Sequence, residues 1–355
     1  DEMGKWVSGS KSPAMNHSLS PEAHQYYEKH SKDFLDARRA VTPSWHLQFS
    51  EALGNFSFHC AQRIVEAFDG RLLYAGGDDV LAMLPAKDAL PCARALRAAF
   101  RGEADQLNEV IGVVIDVRGG KQSDRNSRLF QIEKDGYLQL HQESGAVFGE
   151  GDGLLDEPVK FPALLPGPET DVSVGIAIAH QKAPLQDVVR AAQAAEKRAK
   201  NQLGRAAVAT TILKRSGEIL EWGCKWAKAD SPKEDSAGYQ LLNSLTRHLI
   251  DNDLNSRFPH KVEALLTPYL PDSRSVSNDD SFVKGFATVL EKEAHHALKR
   301  DGGGFETGLE LFTDYWAELS KLTVSDESDP FAHRLTLLIN LLRTAAWSAK
   351  TKKND

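Results

Sequence analysis

Two short apolar runs, Arg71-Leu72-Leu73-Tyr74 and Val80-Leu81-Ala82-Met83-Leu84, meet across Gly76-Gly77-Asp78-Asp79. Runs of that length around a glycine pair predict a β-hairpin, because glycine accepts the positive φ that tight turns impose. The tip would then carry two adjacent carboxylates, Asp78 and Asp79, which repel each other unless they are solvated or hold a cation. Oxygen-only donors of this kind suit Mg²⁺ or Mn²⁺, with phosphates and water completing the shell. A glycine at 77 leaves the backbone open to a triphosphate. The bare tetrapeptide also fits a surface turn capped by two acids.

The flanking pattern is that of an α+β palm. Apolar residues recur at helical spacing from Leu47 to Phe68 ahead of the hairpin, and a second helix is expected over Asp88 to Phe100. Val172 to Ala179 reads as a buried strand. Pro184 suits the first turn of a helix carrying Leu185, Val188, Ala192, Ala195 and Ala199, with Gly204 placed to end it. Ala206 to Leu213 is a further strand, and Gly217 to Trp222 a hairpin arm. The order predicts a ferredoxin-like, polymerase/cyclase palm over residues 1–225, helices covering one face of a mainly antiparallel sheet. Two insertions interrupt it. One, at about 9–40, is polar and partly helical; the other, at about 103–170, includes an expected strand over Val110 to Val117 and a Gly/Lys/Ser/Asp stretch from Gly119 to Ser127. From residue 226 to 355 strand signals are few, and Leu241, Leu245, Leu249, Phe282, Phe286, Leu290, Phe312, Trp316, Leu335 and Leu338 mark an all-α helical bundle.

Composition narrows the class further. The chain has 355 residues, enough for about two domains. Its formal net charge is −7, whereas a chain that grips duplex nucleic acid unaided is usually basic; partner subunits are therefore expected to hold much of any RNA. No apolar run approaches the roughly 18 residues of a membrane helix, and no apolar segment follows the opening residues as in a signal peptide. Cys60, Cys92 and Cys224 are far apart, with no CxxC pair, as expected of a reducing cytoplasm. A first residue of Asp is expected of a piece of a longer chain.

Further candidates sit outside the hairpin. Asp1 and Glu2 precede Met3-Gly4-Lys5; if a palm strand ends there, Asp1 would face the hairpin tip and share its metals, and otherwise it is an acidic chain end. Lys197 and Lys200, three apart near a helix end, suit a triphosphate as point charges, or simply complement the helix dipole. Ser50 and Ser173 are hydroxyls able to read a base edge, or ordinary helix and strand serines. His295 and His296 point to different helix faces, and no His-Asp dipeptide is present for a phosphohydrolase centre of that type.

Leu72 to Ala82 resembles the cyclase palm of the large subunit of type III CRISPR effector complexes. Ser173-Val174-Gly175-Ile176-Ala177-Ile178-Ala179-His180, the run Ala195 to Lys200 and Lys214-Arg215-Ser216-Gly217-Glu218-Ile219 resemble the same family, its III-B branch especially. The resemblance covers residues 1–225, and the helical remainder suits the family's C-terminal domain. It implies synthesis of cyclic oligoadenylates from ATP with a divalent metal when target RNA binds the assembled complex. Asp78 and Asp79 would hold the metals, Lys200 would meet the triphosphate and Ser50 would face an adenine. Partners would be the backbone and small helical subunits, with guide and target RNA reached through the complex and no membrane. Family members usually also carry an upstream nuclease domain, a first palm and a zinc module. Two other readings stay open. A diguanylate cyclase shares the palm, though its turn ends in Glu-Phe; a scaffold subunit would keep an idle metal turn.

Overall fold

The computed structural model describes residues 2–117, 131–132, 137–141, 160–270, 280–301, 305, 308–322 and 329–353. The chain divides into two compact units, Asp1–Asp171 and Val172–Asp355.

In the first unit α1 (Met3–Val7) precedes α2 (Pro21–His30) and α3 (Lys32–Asp36). The expected helix before the hairpin is one continuous rod in three parts: α4 (Pro43–Asn55), a π-helical stretch Phe56–Ala61, and α5 (Gln62–Ala67). Thr42 starts it, its hydroxyl accepting from the Trp45 amide at 3.2 Å, with Pro43 in the first turn. Strands β1 (Arg71–Gly76) and β2 (Asp79–Met83) form the antiparallel hairpin. Next come α6 (Ala89–Arg101), ended by Gly102 in the left-handed region, and α7 (Ala104–Val117). The insertion supplies β3 (Gln131–Ile132), β4 (Tyr137–His141) and β5 (Lys160–Leu164), a small antiparallel sheet.

One expectation is corrected here. Val110 to Val117 is helical, not a strand. Its β-branched residues suggested a strand, but Leu107 and Val110, one turn apart, are both buried and α7 packs on α6; tertiary burial outweighs propensity. The stretch Gly119 to Ser127 lies outside the described residues.

The core of this unit is Phe56, Cys60, Ile64, Val65 and Phe68 from the rod against Cys92, Ala95, Ala99 and Phe100 of α6. Phe56 and Phe100 meet edge to face at 5.0 Å, a pair worth about 0.5–1.5 kcal/mol beyond its burial. The buried charges are matched. Arg97 clasps Asp171 with two bonds of 2.8 Å, while Arg101 reaches Glu103 (2.9 Å), the Thr170 carbonyl (2.7 Å) and Asp171 (3.1 Å).

In the second unit β6 (Val174–Ala179) leads through α8 (Leu185–Asn201) to β7 (Ala207–Leu213), which lies parallel to β6. Strand β8 (Ile219–Lys225) then pairs antiparallel with β7. A glycine is required at 175: a Cβ there would stand 2.2 Å from the Ala192 carbonyl oxygen and 2.2 Å from the Glu196 amide. The backbone of α8 thus lies directly on β6, and Ala195 and Ala199 are fully buried.

After Lys225 the described residues are helical or loop, as expected: α9 (Ala237–Asp251), α10 (Phe258–Leu266), α11 (Asp280–Asp301), α12 (Leu309–Ser320) and α13 (Pro330–Lys353). The compact units divide at Asp171/Val172, not at the division expected between residues 225 and 226. Packing joins the helices to the last three strands in one compact unit. Tyr315 donates to the Gly223 carbonyl (3.3 Å) and Asn340 to the Glu221 carbonyl (2.7 Å), so helix side chains take carbonyls of the outer strand β8. Glu318 accepts from the Ala237 and Gly238 amides at 2.8 and 3.2 Å, capping α9.

Candidate functional site

The hairpin register pairs Gly76 with Asp79, leaving Gly77 and Asp78 as a two-residue loop. Gly77 adopts φ 64°, a value that costs a residue with a Cβ about 1–2 kcal/mol. No atom lies within 4 Å of where its Cβ would be, so the space over Gly77 is open. At Gly76 the neighbour is the Tyr74 hydroxyl, 2.4 Å from a would-be Cβ. Asp78 and Asp79 are both exposed. Sequence reasoning therefore located the turn, its strands and its acidic tip.

It missed the residue beneath. Ser57 is 6% exposed, and its hydroxyl lies 2.8 Å from the Gly77 carbonyl and 2.9 Å from the Leu53 carbonyl. Ser57 belongs to the π-helical stretch, a local widening often found at functional sites. One signal was available. Phe56, Cys60, Ile64 and Phe68, and likewise Ser57, Ala61 and Val65, are buried at intervals of four, longer than the 3.6 of a regular helix. Ser50 lies on α4 with an exposed side chain.

Asp1 lies outside the described residues. Its neighbour Glu2 is tied to Lys11 at 2.6 Å and to Lys5 at 2.5 Å, and those partners, Lys11 first, hold its carboxyl down at about 2. The described residues that follow form α1 rather than a strand end.

The remaining candidates belong to the second unit. Ser173 is half-buried immediately before β6, and Lys197 is exposed on α8. Lys200 is half-buried and pairs with Glu196 one turn back. Between them Arg198 turns inward, bonding the Thr211 hydroxyl (2.7 Å), the Thr210 carbonyl (3.1 Å) and Glu221 (2.7 Å); burial lowers its pKa, opposed by Glu221. Arg198 is thus a structural cation, and Lys197 and Lys200 flank it. The candidates fall into two sets: Ser50, Gly76, Gly77, Asp78 and Asp79 in the first unit, and Ser173, Lys197 and Lys200 in the second.

Among the described residues no group of three or more His, Cys, Asp or Glu is arranged to hold a metal. The donor set at the hairpin is two exposed carboxylates beside an open glycine. That composition fits Mg²⁺ or Mn²⁺, which keep several waters and bind through one or two carboxylates plus substrate phosphates. It does not fit an all-protein cage. Nor, among the described residues, is any helix long and apolar enough to cross a membrane.

A hairpin with paired acids at its tip is the feature by which the first unit compares with known palm domains. Residues 1–113 match the family of the Cas10/Cmr2 second palm domain. The CRISPR system Cmr subunit Cmr2 of Pyrococcus furiosus is 30% identical over 218 residues, 61% of this chain and 18% of that protein. The corresponding subunit of Saccharolobus solfataricus is 40% identical over 67 residues, 19% of this chain and 6% of its own length. The chain thus spans less than one fifth of these curated relatives. A chain of the type III-B Cmr-beta apo-state cryo-EM structure superimposes with a TM-score of 0.50 at 16% identity, over 91% of this chain and 28% of that one; this likeness concerns the fold. Residues 1–113 thus match the Cas10/Cmr2 second palm, and the chain is similar to part of the large subunit of type III-B CRISPR complexes, as the Gly-Gly-Asp-Asp segment led one to expect.

Proposed function

We propose that this chain is the second-palm and helical portion of a target-RNA-activated oligoadenylate cyclase within a cytoplasmic type III-B CRISPR complex. The observation that carries the reading is the pair of exposed carboxylates, Asp78 and Asp79, beside the open backbone of Gly77. In the reaction the 3′-hydroxyl of one ATP attacks the α-phosphorus of another. A new 3′-O–P bond forms, the bond to the pyrophosphate oxygen breaks, and the hydroxyl proton is released. Mg²⁺ or Mn²⁺, when held by Asp78 and Asp79, neutralises phosphate charge and favours the alkoxide form of the attacking hydroxyl.

The protein's own residues bind and orient. Gly77 leaves room for phosphate oxygens next to the acidic pair. Lys200 releases Glu196 and meets the triphosphate, a small loss because a partly exposed pair is worth about 0–1 kcal/mol; Lys197 adds charge on the same helix. Ser50 faces an adenine, and Ser173 a base or ribose. The partners are the backbone and small helical subunits, which hold guide and target RNA, in keeping with this chain's net charge of −7.

The test is mass spectrometry of products from ATP plus Mg²⁺ or Mn²⁺, using the full-length protein in its complex with and without complementary RNA. Cyclic oligoadenylates formed only with target RNA are the expected result. Intact RNA binding with no product under any condition would replace this reading with the scaffold.

A further inference from the structure

In a two-residue hairpin turn the strand ladder stops at the flanking pair, here Gly76 and Asp79, so the Gly77 carbonyl has no ladder partner. It comes instead within 2.8 Å of the Ser57 hydroxyl. That hydroxyl has one proton and two carbonyls in reach, since Leu53 stands at 2.9 Å. The bond to Leu53 is the ordinary local one a helical serine makes four residues back. The bond to Gly77 spans 20 residues and two elements. The π-helical stretch that holds Ser57 packs on β1, and Ser57 is buried in the row it shares with Ala61 and Val65.

We infer that Ser57 is a positioning residue for the acidic turn: its hydroxyl anchors the Gly77 carbonyl and thereby sets the direction in which Asp78 and Asp79 present their carboxylates to a divalent cation. The peptide plane held by Ser57 is the one that joins Gly77 to Asp78. Rotating it turns the Asp78 backbone, and with it both side chains, while the strands stay paired. The other buried residues of the rod that carries Ser57 are apolar, so this bond is a directional link between the core and the turn that bears the exposed Asp78 and Asp79. The inference rests on the cyclase reading for its role in catalysis, but the anchoring is measurable without it.

The experiment uses the full-length protein in its complex, with Ser57→Ala and the shape-matched pair Ser57→Thr and Ser57→Val. Mn²⁺ titration without ATP is followed by electron paramagnetic resonance, counting the ions lost in the Asp78→Ala, Asp79→Ala double variant. Hydrogen exchange reports the backbone amides of residues 77–79. Ser57→Ala is expected to weaken that Mn²⁺ binding about five- to tenfold and to speed exchange at the turn. Its kcat should fall about tenfold with KM for ATP within twofold, and Ser57→Thr should restore all three where Ser57→Val does not. If Ser57→Ala does not fold, the Thr and Val pair carries the same comparison. Unchanged Mn²⁺ affinity and turn exchange in folded variants lacking the hydroxyl would overturn the inference. A wild-type complex that makes no product, yet whose Mn²⁺ binding responds to Ser57, would sink the cyclase reading and leave the anchor standing.

Discussion

The hairpin of the first unit and the strand–helix–strand of the second use glycine for opposite ends. At the hairpin Gly77 faces open space, and Asp78 and Asp79 beside it are exposed. In the β6–α8–β7 segment Gly175 faces the backbone of α8 at 2.2 Å, and the row of Ala195 and Ala199 is sealed. One glycine leaves open space beside the acidic turn; the other removes space so that a helix can seat on a strand. A substitution should therefore fail differently in the two regions, with chemistry lost at the first and folding lost at the second.

The largest effect should come from the hairpin. Asp78→Ala with Asp79→Ala is expected to lower ATP conversion by on the order of 10²-fold or more, since on the proposed cyclase reading it removes the charged groups that stabilise the transition state. Complex assembly, read by size-exclusion chromatography, and RNA binding, read by filter retention, should persist because both side chains are exposed. Loss of assembly would make the turn structural and erase the contrast.

Gly175→Ala tests the other side. Its Cβ meets main-chain atoms that no rotamer change can move, so we expect roughly 1–3 kcal/mol of destabilisation, in the range of overpacked cores, seen as a lower denaturant midpoint with unchanged m-value. An unaltered midpoint would mean that α8 does not seat on β6 as closely as 2.2 Å implies.

The smallest effect, and the one that most sharpens the comparison, belongs to Lys200. Lys200→Ala should raise KM for ATP several-fold with stability changed by less than about 1 kcal/mol, because its pair with Glu196 is partly exposed. Glu196→Gln should leave stability equally untouched and lower KM if the carboxylate competes with phosphate for the ammonium. Equal KM in both variants would remove α8 from the nucleotide site.

Much of this was legible in the sequence because period and punctuation agreed. Gly76-Gly77 between two apolar runs could scarcely be anything but a turn, and the alanine spacing of 192, 195 and 199 with Gly204 behind it marked α8 from start to stop. Val110 to Val117 was misread because its branched residues favour a strand in isolation, and only α6 beside it decides otherwise. Ser57 was passed over for a related reason. It sits between Phe56 and Phe58 in a helix of regular appearance, and one of those rings is buried while the other is 81% exposed. Nothing in residue type announces that the rod widens there; the four-residue spacing of buried positions is the trace it leaves.

The outer strand β8 depends on helices that come much later in the chain: Gly223 is 92 residues from Tyr315, and Glu221 is 119 residues from Asn340. At synthesis rates of about 5–20 residues per second, the second interval corresponds to roughly 6–24 s. During that time the growing chain holds the residues of its sheet but not the side chains that occupy its edge carbonyls. A nascent chain in that interval presents an incomplete strand edge to its neighbours on the polysome. The yield of this protein should therefore respond to translation speed between residues 225 and 340 more than to the speed at which the hairpin is made.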